Sequence, residues 1–363
     1  MTHHADHAQE SSSLRPGEQP PQRSLVTALT NVHVSDGYGM HDRLSTIVFN
    51  GSSIIDSEHA EKADEVIDGK GGALLPGLIE SHAHPLTYEH LEMLSGCGVT
   101  TVMNMACQNY TLCSLLKDQK GFTDFKTAGQ PAQGPGSQHA KMQNTPQSKL
   151  IWKPQQAPEY VKKVFDHDSD YLKITAEENG PNQATQNALV REAHARGKKV
   201  MTQAATYDYY RMAIESGTGG PQHIPFDRVL SNTTLDQMLA MNMFATPTMN
   251  LYRLLLPSVG DWDPEFSKNI NFTKAYDVVQ ENVRNIYNHG IPVLAGTDSV
   301  LGSYYPVSLA FGQTLHEELQ NLVDIGLSPA EALRAATIVP AKAHGLDDRG
   351  HLAPVSVGAT IAS

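Results

Sequence analysis

Two histidines one residue apart, His82 and His84, stand near the end of the segment LLPGLIESHAHP. In a β-strand alternate side chains share a face, so both imidazoles project together and offer two nitrogen ligands to a metal ion. By itself a His-x-His pair is a weak signal that arises by chance. Here Pro76 and Gly77 turn the chain into the strand and Pro85 follows it, which bounds a short element carrying the pair at its C-terminal end. A second segment, PVLAGTDS, places Asp298 just beyond an apolar run. A carboxylate there can hold a metal and take a proton from a water whose pKa the ion lowers, to about 7 in the best zinc sites. It can equally cap a helix.

Such side chains need a scaffold that brings distant segments together. From Leu75 onward, short β-rich runs alternate with longer helical stretches, the pattern of parallel strands with crossovers. The strand candidates are LIESHAHP, TTVMNMA, FKTAGQ, YLKITAE, KVMTQAAT, PQHIPF, MFATPTM and PVLAGTDS. Eight β/α units over roughly 270 residues is the size of a TIM barrel, whose functional residues collect at the C-terminal ends of the strands. The expected fold is therefore α/β, a (β/α)8 barrel over residues 76–345. Residues 25–75 read as antiparallel strands of a small β-sandwich-like satellite domain, to which residues 346–363 return. Residues 1–24 are polar, rich in proline and serine, and read as a disordered tail.

With these segments in order, the sequence resembles the amidohydrolase superfamily, in its imidazolonepropionase-like and prolidase-like branch. LLPGLIESHAHP resembles that family's first-strand signature, and YLKI, with Lys173, resembles a fourth strand whose lysine is carboxylated and bridges two metals. PQHIPFD, with His223, is similar to the sixth strand, LAGTDS, with Asp298, to the eighth, and LSPAEALRAATIVPAKAHGLDDRGHLAP to the C-terminal helix and return. The resemblance implies His82, His84, carboxylated Lys173 and Asp298 as ligands of a first metal, zinc being the first expectation, with Asp298 also catalytic. A lysine buried at a barrel mouth has its charged form disfavoured, so its neutral amine can react with carbon dioxide.

The chain departs from the family pattern at two places. Where the family's fifth strand ends in a histidine serving a second metal, KKVMTQAAT carries Gln203, a neutral and weaker ligand for zinc-like ions. One tightly held ion is thus expected rather than two. The chain also stops at APVSVGATIAS, so the satellite sheet is expected to lack a strand, leaving an edge open to homo-oligomer contact. Between the third and fourth strands, residues 127–149 form a long loop over the mouth, and its His139 is similar in place to substrate-contacting residues of related enzymes. Tyr207, Tyr252, Arg253 and Tyr304 follow later strands and are further candidates to line a substrate pocket.

Bulk composition narrows the class of partner. Lys plus Arg number 27 against 39 Asp plus Glu, a net charge of −12, which argues against a nucleic-acid surface and for a small-molecule substrate. No apolar run reaches the roughly 18 residues of a membrane span, and the N-terminus lacks a secretory apolar core, so the cytoplasm is the expected location. Three cysteines, an odd number, are expected to be reduced, buried thiols. The expected activity is metal-dependent hydrolysis of an amide or cyclic amide C–N bond. Gln203 keeps open an alternative, a repurposed non-hydrolytic step such as dehydration, isomerisation, cyclisation or decarboxylation. A dead binding protein is the third reading, disfavoured by the ligand types present.

Overall fold

The structure is a computed structural model describing residues 25–258, 272–301, 308–353 and 359–362. The tail at 1–24 and Tyr304 lie outside the described residues. Strand β1 (Val26–Ser35) pairs antiparallel with β2 (Met40–Asn50), and β2 with β3 (Ser53–Ile55). On its other side β1 runs parallel to β4 (Glu65–Asp68) and β5 (Ala73–Pro76). Leu29, Val32, Val34, Ile54 and Leu74 form a separate apolar core for this sheet. The expectation of a missing strand is corrected: Ala359–Ala362 pairs antiparallel with β5 from Pro76 to Ala73. A β5 edge presents unsatisfied backbone donors and acceptors, and four residues of ATIA suffice to pair them.

The parallel strands follow. β6 (Leu78–Ala83), β7 (Val99–Asn104) and β8 (Asp124–Thr127) make one sheet. β9 (Leu172–Thr175), β10 (Val200–Gln203) and β11 (Gly220–Gln222) make another. Single parallel bridges link the remaining segments: Ala132 to Ile174, Gln222 to Thr246, Ala245 to Val293, and Ser299 back to Ala83. Among the described residues, MFATPTM and PVLAGTDS therefore make bridges rather than strands, and no continuous eight-stranded ladder forms. Pro247 and Pro292 lack a ladder donor, and Thr248 and Asp298 take positive φ, so pairing stops after one or two residues.

Helices separate these strands. α1 (Tyr88–Gly96) and α2 (Tyr110–Leu116) start at Thr87 and Asn109, whose side chains accept from the first-turn backbone N–H groups of His90 and Leu112. The long segment after β8 is not structureless, since Ser137 caps a short helix α3 (Gln138–Met142) within it. α4 (Ala157–Asp166), α5 (Gln183–His194), α6 (Tyr207–Ser216), α7 (Asn232–Ala240) and α8 (Met249–Leu255) continue the alternation. They are followed by α9 (Phe272–Asn288), α10 (Gln313–Asp324), α11 (Pro329–Ala335) and α12 (Ile338–His344). No described helix is long and apolar enough to cross a membrane. The cysteine expectation is corrected as well: Cys107 and Cys113 are joined by a disulfide, with Cα atoms 6.1 Å apart. The turn into α2 brings two residues six apart within bonding range, a local geometry that counting cysteines cannot show. Cys97 is free.

Glu318 on α10 is fully buried and accepts from the backbone N–H groups of Met249 and Asn250, closing the first turn of α8. Burial pushes its pKa from 4.5 up to about 7 despite those bonds. Between these values the folded protein keeps a proton that the unfolded chain has released, so stability falls as pH rises through the window and levels off above it. We expect the loss to total on the order of 3 kcal/mol. In urea unfolding across pH 4.5 to 7, Glu318→Gln should flatten this slope whatever it does to absolute stability; an unchanged slope refutes the assignment.

Candidate metal centre

Five candidate ligand side chains gather where the parallel strands end. His82 is in β6 with His84 just past it, Lys173 is in β9, His223 directly follows β11, and Asp298 lies in the last bridged segment. Two backbone features bring Asp298 to the histidines: the Asp298 N–H donates to the His82 carbonyl at 2.7 Å, and the His84 N–H donates to the Ser299 carbonyl at 2.8 Å. Below them the fully buried Glu80 carboxylate accepts from the N–H groups of His82 and Thr297 and from the Thr297 hydroxyl, tying the two segments together. Burial raises the Glu80 pKa to about 8. Gly296 runs so close to β6 that a Cβ would sit 2.4 Å from the Thr246 methyl and 2.9 Å from His82 N.

Asp298 Oδ1 lies 2.9 Å from His84 Nε2 and 3.2 Å from His82 Nε2. The tautomer of His82 follows from its other nitrogen, 3.0 Å from Gln222 Oε1, while the Gln222 amide nitrogen donates to the Gly220 carbonyl. The Nδ1–H therefore donates to Gln222, and Nε2 carries a lone pair facing the carboxylate, buried and without a hydrogen-bond partner. Two acceptors face each other across 3.2 Å, an arrangement that a cation between them satisfies. His223 is anchored at Nδ1 by Thr248 Oγ1, 2.7 Å away, which leaves Nε2 for the cluster. Ligand atoms of His82, His223 and Asp298 all lie within 4.8 Å of one another.

Burial depresses the pKa of His82 to about 4 and that of His84 and His223 as well, keeping the imidazoles neutral as metal ligation requires. Lys173 is almost wholly buried, and desolvation brings its pKa down to about 8 against the opposing pull of Asp298 and Glu177. His223 and Asp298 have φ of 67° and 59°. Such backbone costs roughly 1–3 kcal/mol per residue and marks positions that the surrounding structure overrides for function.

Gln203 ends β10 and faces the same space, its Nε2 2.6 Å from His139 Nε2. His139, on α3, is held by Glu177: its backbone N–H donates to Oε1 at 3.1 Å and its Nδ1–H to Oε2 at 2.7 Å. With Nδ1 protonated, Nε2 accepts from the Gln203 amide. A cavity of about 260 Å³ opens here, its lining including His84, Lys173, Gln203 and His139.

Residues 73–354 match the sequence pattern of the Amidohydrolase family. The chain belongs to that family. No curated protein matches it significantly by sequence. Among solved structures, this amidohydrolase is similar to a Xaa-Pro dipeptidase with bound methionine, at a TM-score of 0.74 and 18% identity over 92% of each chain. A candidate prolidase from Bifidobacterium longum gives a TM-score of 0.76 at 22% identity, covering 92% of this chain and 87% of its own. Ochratoxinase from A. niger gives 0.72 at 15%, covering 92% and 88%. Its structural neighbours are thus prolidase-like amidohydrolases, a likeness of fold.

The remaining candidates of this amidohydrolase lie away from the cavity lining. The buried Tyr252 ring stands perpendicular to His223, and its hydroxyl donates to the Ile224 carbonyl, so it props the strand end. Tyr207 begins α6 beneath the Arg228 guanidinium. Arg253 donates to the side-chain Oδ1 of Asn250 and pairs with Glu317. Sequence reasoning missed Gln222, Thr248 and Glu80, which orient the ligand histidines His82 and His223, and Glu177, which orients His139. An acidic residue four beyond Lys173, at a strand end, was the one readable signal.

Proposed function

We propose that the protein is a metal-dependent amidohydrolase that cleaves an amide or cyclic amide C–N bond of a small molecule, in a closed (β/α)8 barrel. The observation that carries it is the pair of facing acceptors, His82 Nε2 and Asp298 Oδ1, inside a buried cluster of neutral imidazoles. His82, His84, Asp298 and Lys173 as its carbamate would hold one zinc ion. When bound, the ion supplies Lewis acidity and a water acidified towards neutral pH. Asp298 would accept a proton from the attacking water and return it to the leaving nitrogen. Lys173, its pKa brought down to about 8 by burial, would add carbon dioxide through the neutral fraction of its amine and release a proton, giving an oxygen ligand. His139, oriented by Glu177, faces the cavity where a substrate carbonyl lies.

The amide of Gln203 bonded to His139 favours a second reading, a repurposed non-hydrolytic reaction, because an amide there serves a substrate better than a second ion. Elemental analysis of the purified protein tests the proposal. We expect about one zinc per chain. Two strongly held ions overturn the one-metal reading, and none in zinc-supplemented buffer overturns both metal readings.

A further inference from the structure

The cavity also carries a polar feature that the metal chemistry does not use. Gln108, after β7, and Gln143, after α3, both line it. Gln108 Nε2 donates to Gln143 Oε1 at 2.5 Å and to Thr145 Oγ1 at 3.1 Å. The Thr145 hydroxyl donates to Gln133 Oε1 at 2.8 Å, and Gln133 Nε2 donates back to Gln143 Oε1 at 2.8 Å. Gln133 is fully buried and Thr145 nearly so, so the ring of four side chains is fixed from beneath. The backbone is fixed too: Lys149 Nζ donates to the Gln108 carbonyl at 2.9 Å, and neighbouring Cys107 is tied to Cys113.

Counting donors and acceptors shows what this ring leaves over. Both Gln108 amide hydrogens are used, so its carbonyl oxygen remains; the Gln143 oxygen accepts twice, so its amide hydrogens remain. Turning every amide around preserves the ring and exchanges the two leftovers. In either setting the cavity is offered one acceptor edge and one donor edge side by side. Leu86, Leu112, Met142 and Leu301 supply apolar wall, and neutral Asn109, whose side-chain oxygen caps α2, lies beside Gln108. Among the described lining residues, Lys173 is the one lysine or arginine, and it belongs to the metal centre.

We infer that Gln108 and Gln143 form a specificity subsite for a neutral amide-type group of the substrate, such as a carboxamide, ureide or carbamate N–H, rather than for a free carboxylate. This rests on the cavity being where the substrate binds. A carboxylate offers acceptors alone and would set one against the leftover amide oxygen; Lys149 is engaged on the Gln108 backbone carbonyl, and among the described lining residues no lysine or arginine outside the metal centre faces the charge. An amide-type group offers both a donor and an acceptor and matches the pair.

Calorimetric titration of the purified, metal-containing protein tests this without turnover, so failure of the hydrolase reading does not decide it. The probes are N-acetyl-L-leucinamide, its methyl ester counterpart, which only accepts at that end, and N-acetyl-L-leucine. We expect the amide to bind roughly tenfold more tightly than either comparator, the worth of about one well-placed hydrogen bond. Gln108→Leu and Gln143→Leu should each cut the amide's advantage over the ester to less than about twofold, with metal content unchanged. Absence of amide binding at millimolar concentration overturns the inference. So does ester or carboxylate binding as tight as the amide, or an amide preference that survives both substitutions.

Discussion

Replacing Lys173 with alanine should strip the protein of its metal and lower its activity by at least about 10³, roughly 4 kcal/mol of transition-state stabilisation. The sign of the metal effect separates two roles for the same buried amine. As an ammonium, Lys173 would repel a cation held by His82, His84 and Asp298, and its removal would tighten metal binding. As a carbamate it contributes an oxygen ligand and a negative charge, and its removal loosens the ion. Burial opens the second role: desolvation brings its pKa down to about 8 against the opposing pull of Asp298 and Glu177, so a neutral amine is within reach. Metal content by elemental analysis and activity should fall together, and acetate or propionate should partly restore both by entering the space left by the side chain. A Lys173→Ala protein with undiminished metal and activity removes the lysine from the site.

How far these roles could be read in advance depended on how local their causes are. Period-two alternation sufficed to put His82 and His84 on one face, and both Nε2 atoms do reach the same Asp298 oxygen. The alternation of strands and helices was legible because each element carries its own apolar pattern and cap, as Asn182 does for α5. What selects the His82 tautomer was not legible, since Gln222 lies 140 residues away and meets it only in the folded chain. The partnership of His139 with Glu177 likewise depends on α3 forming inside a segment that composition marks as loop. The seventh and eighth strand segments read as ordinary strands because apolar runs do not reveal positive φ at Thr248 and Asp298. The C-terminal strand was missed for the opposite reason: four small residues carry little pattern, and the edge of β5 supplies the rest.

Gln203→His should raise the metal content from about one to about two ions per chain and leave hydrolysis intact or faster. Gln203 pairs in register with Thr175 on one side and Gln222 on the other, so a side chain at 203 ends between the strands that carry Lys173 and His223. An imidazole there would join His223 and the Lys173 carbamate as a ligand set for a second ion, where the amide now holds His139 instead. His139 would keep its bond to Glu177 and remain oriented towards the cavity. If the Gln203 amide has been recruited to hydrogen-bond a substrate in a non-hydrolytic reaction, the same substitution has a different consequence. The second ion would occupy the substrate's place, and a metal-bound imidazole cannot both donate and accept as the amide does. Turnover would then disappear while metal content rose and the fold survived. Metal stoichiometry and turnover measured on the same preparations therefore separate the two readings: two ions with lost turnover sinks the hydrolase, and two ions with retained hydrolysis sinks its rival.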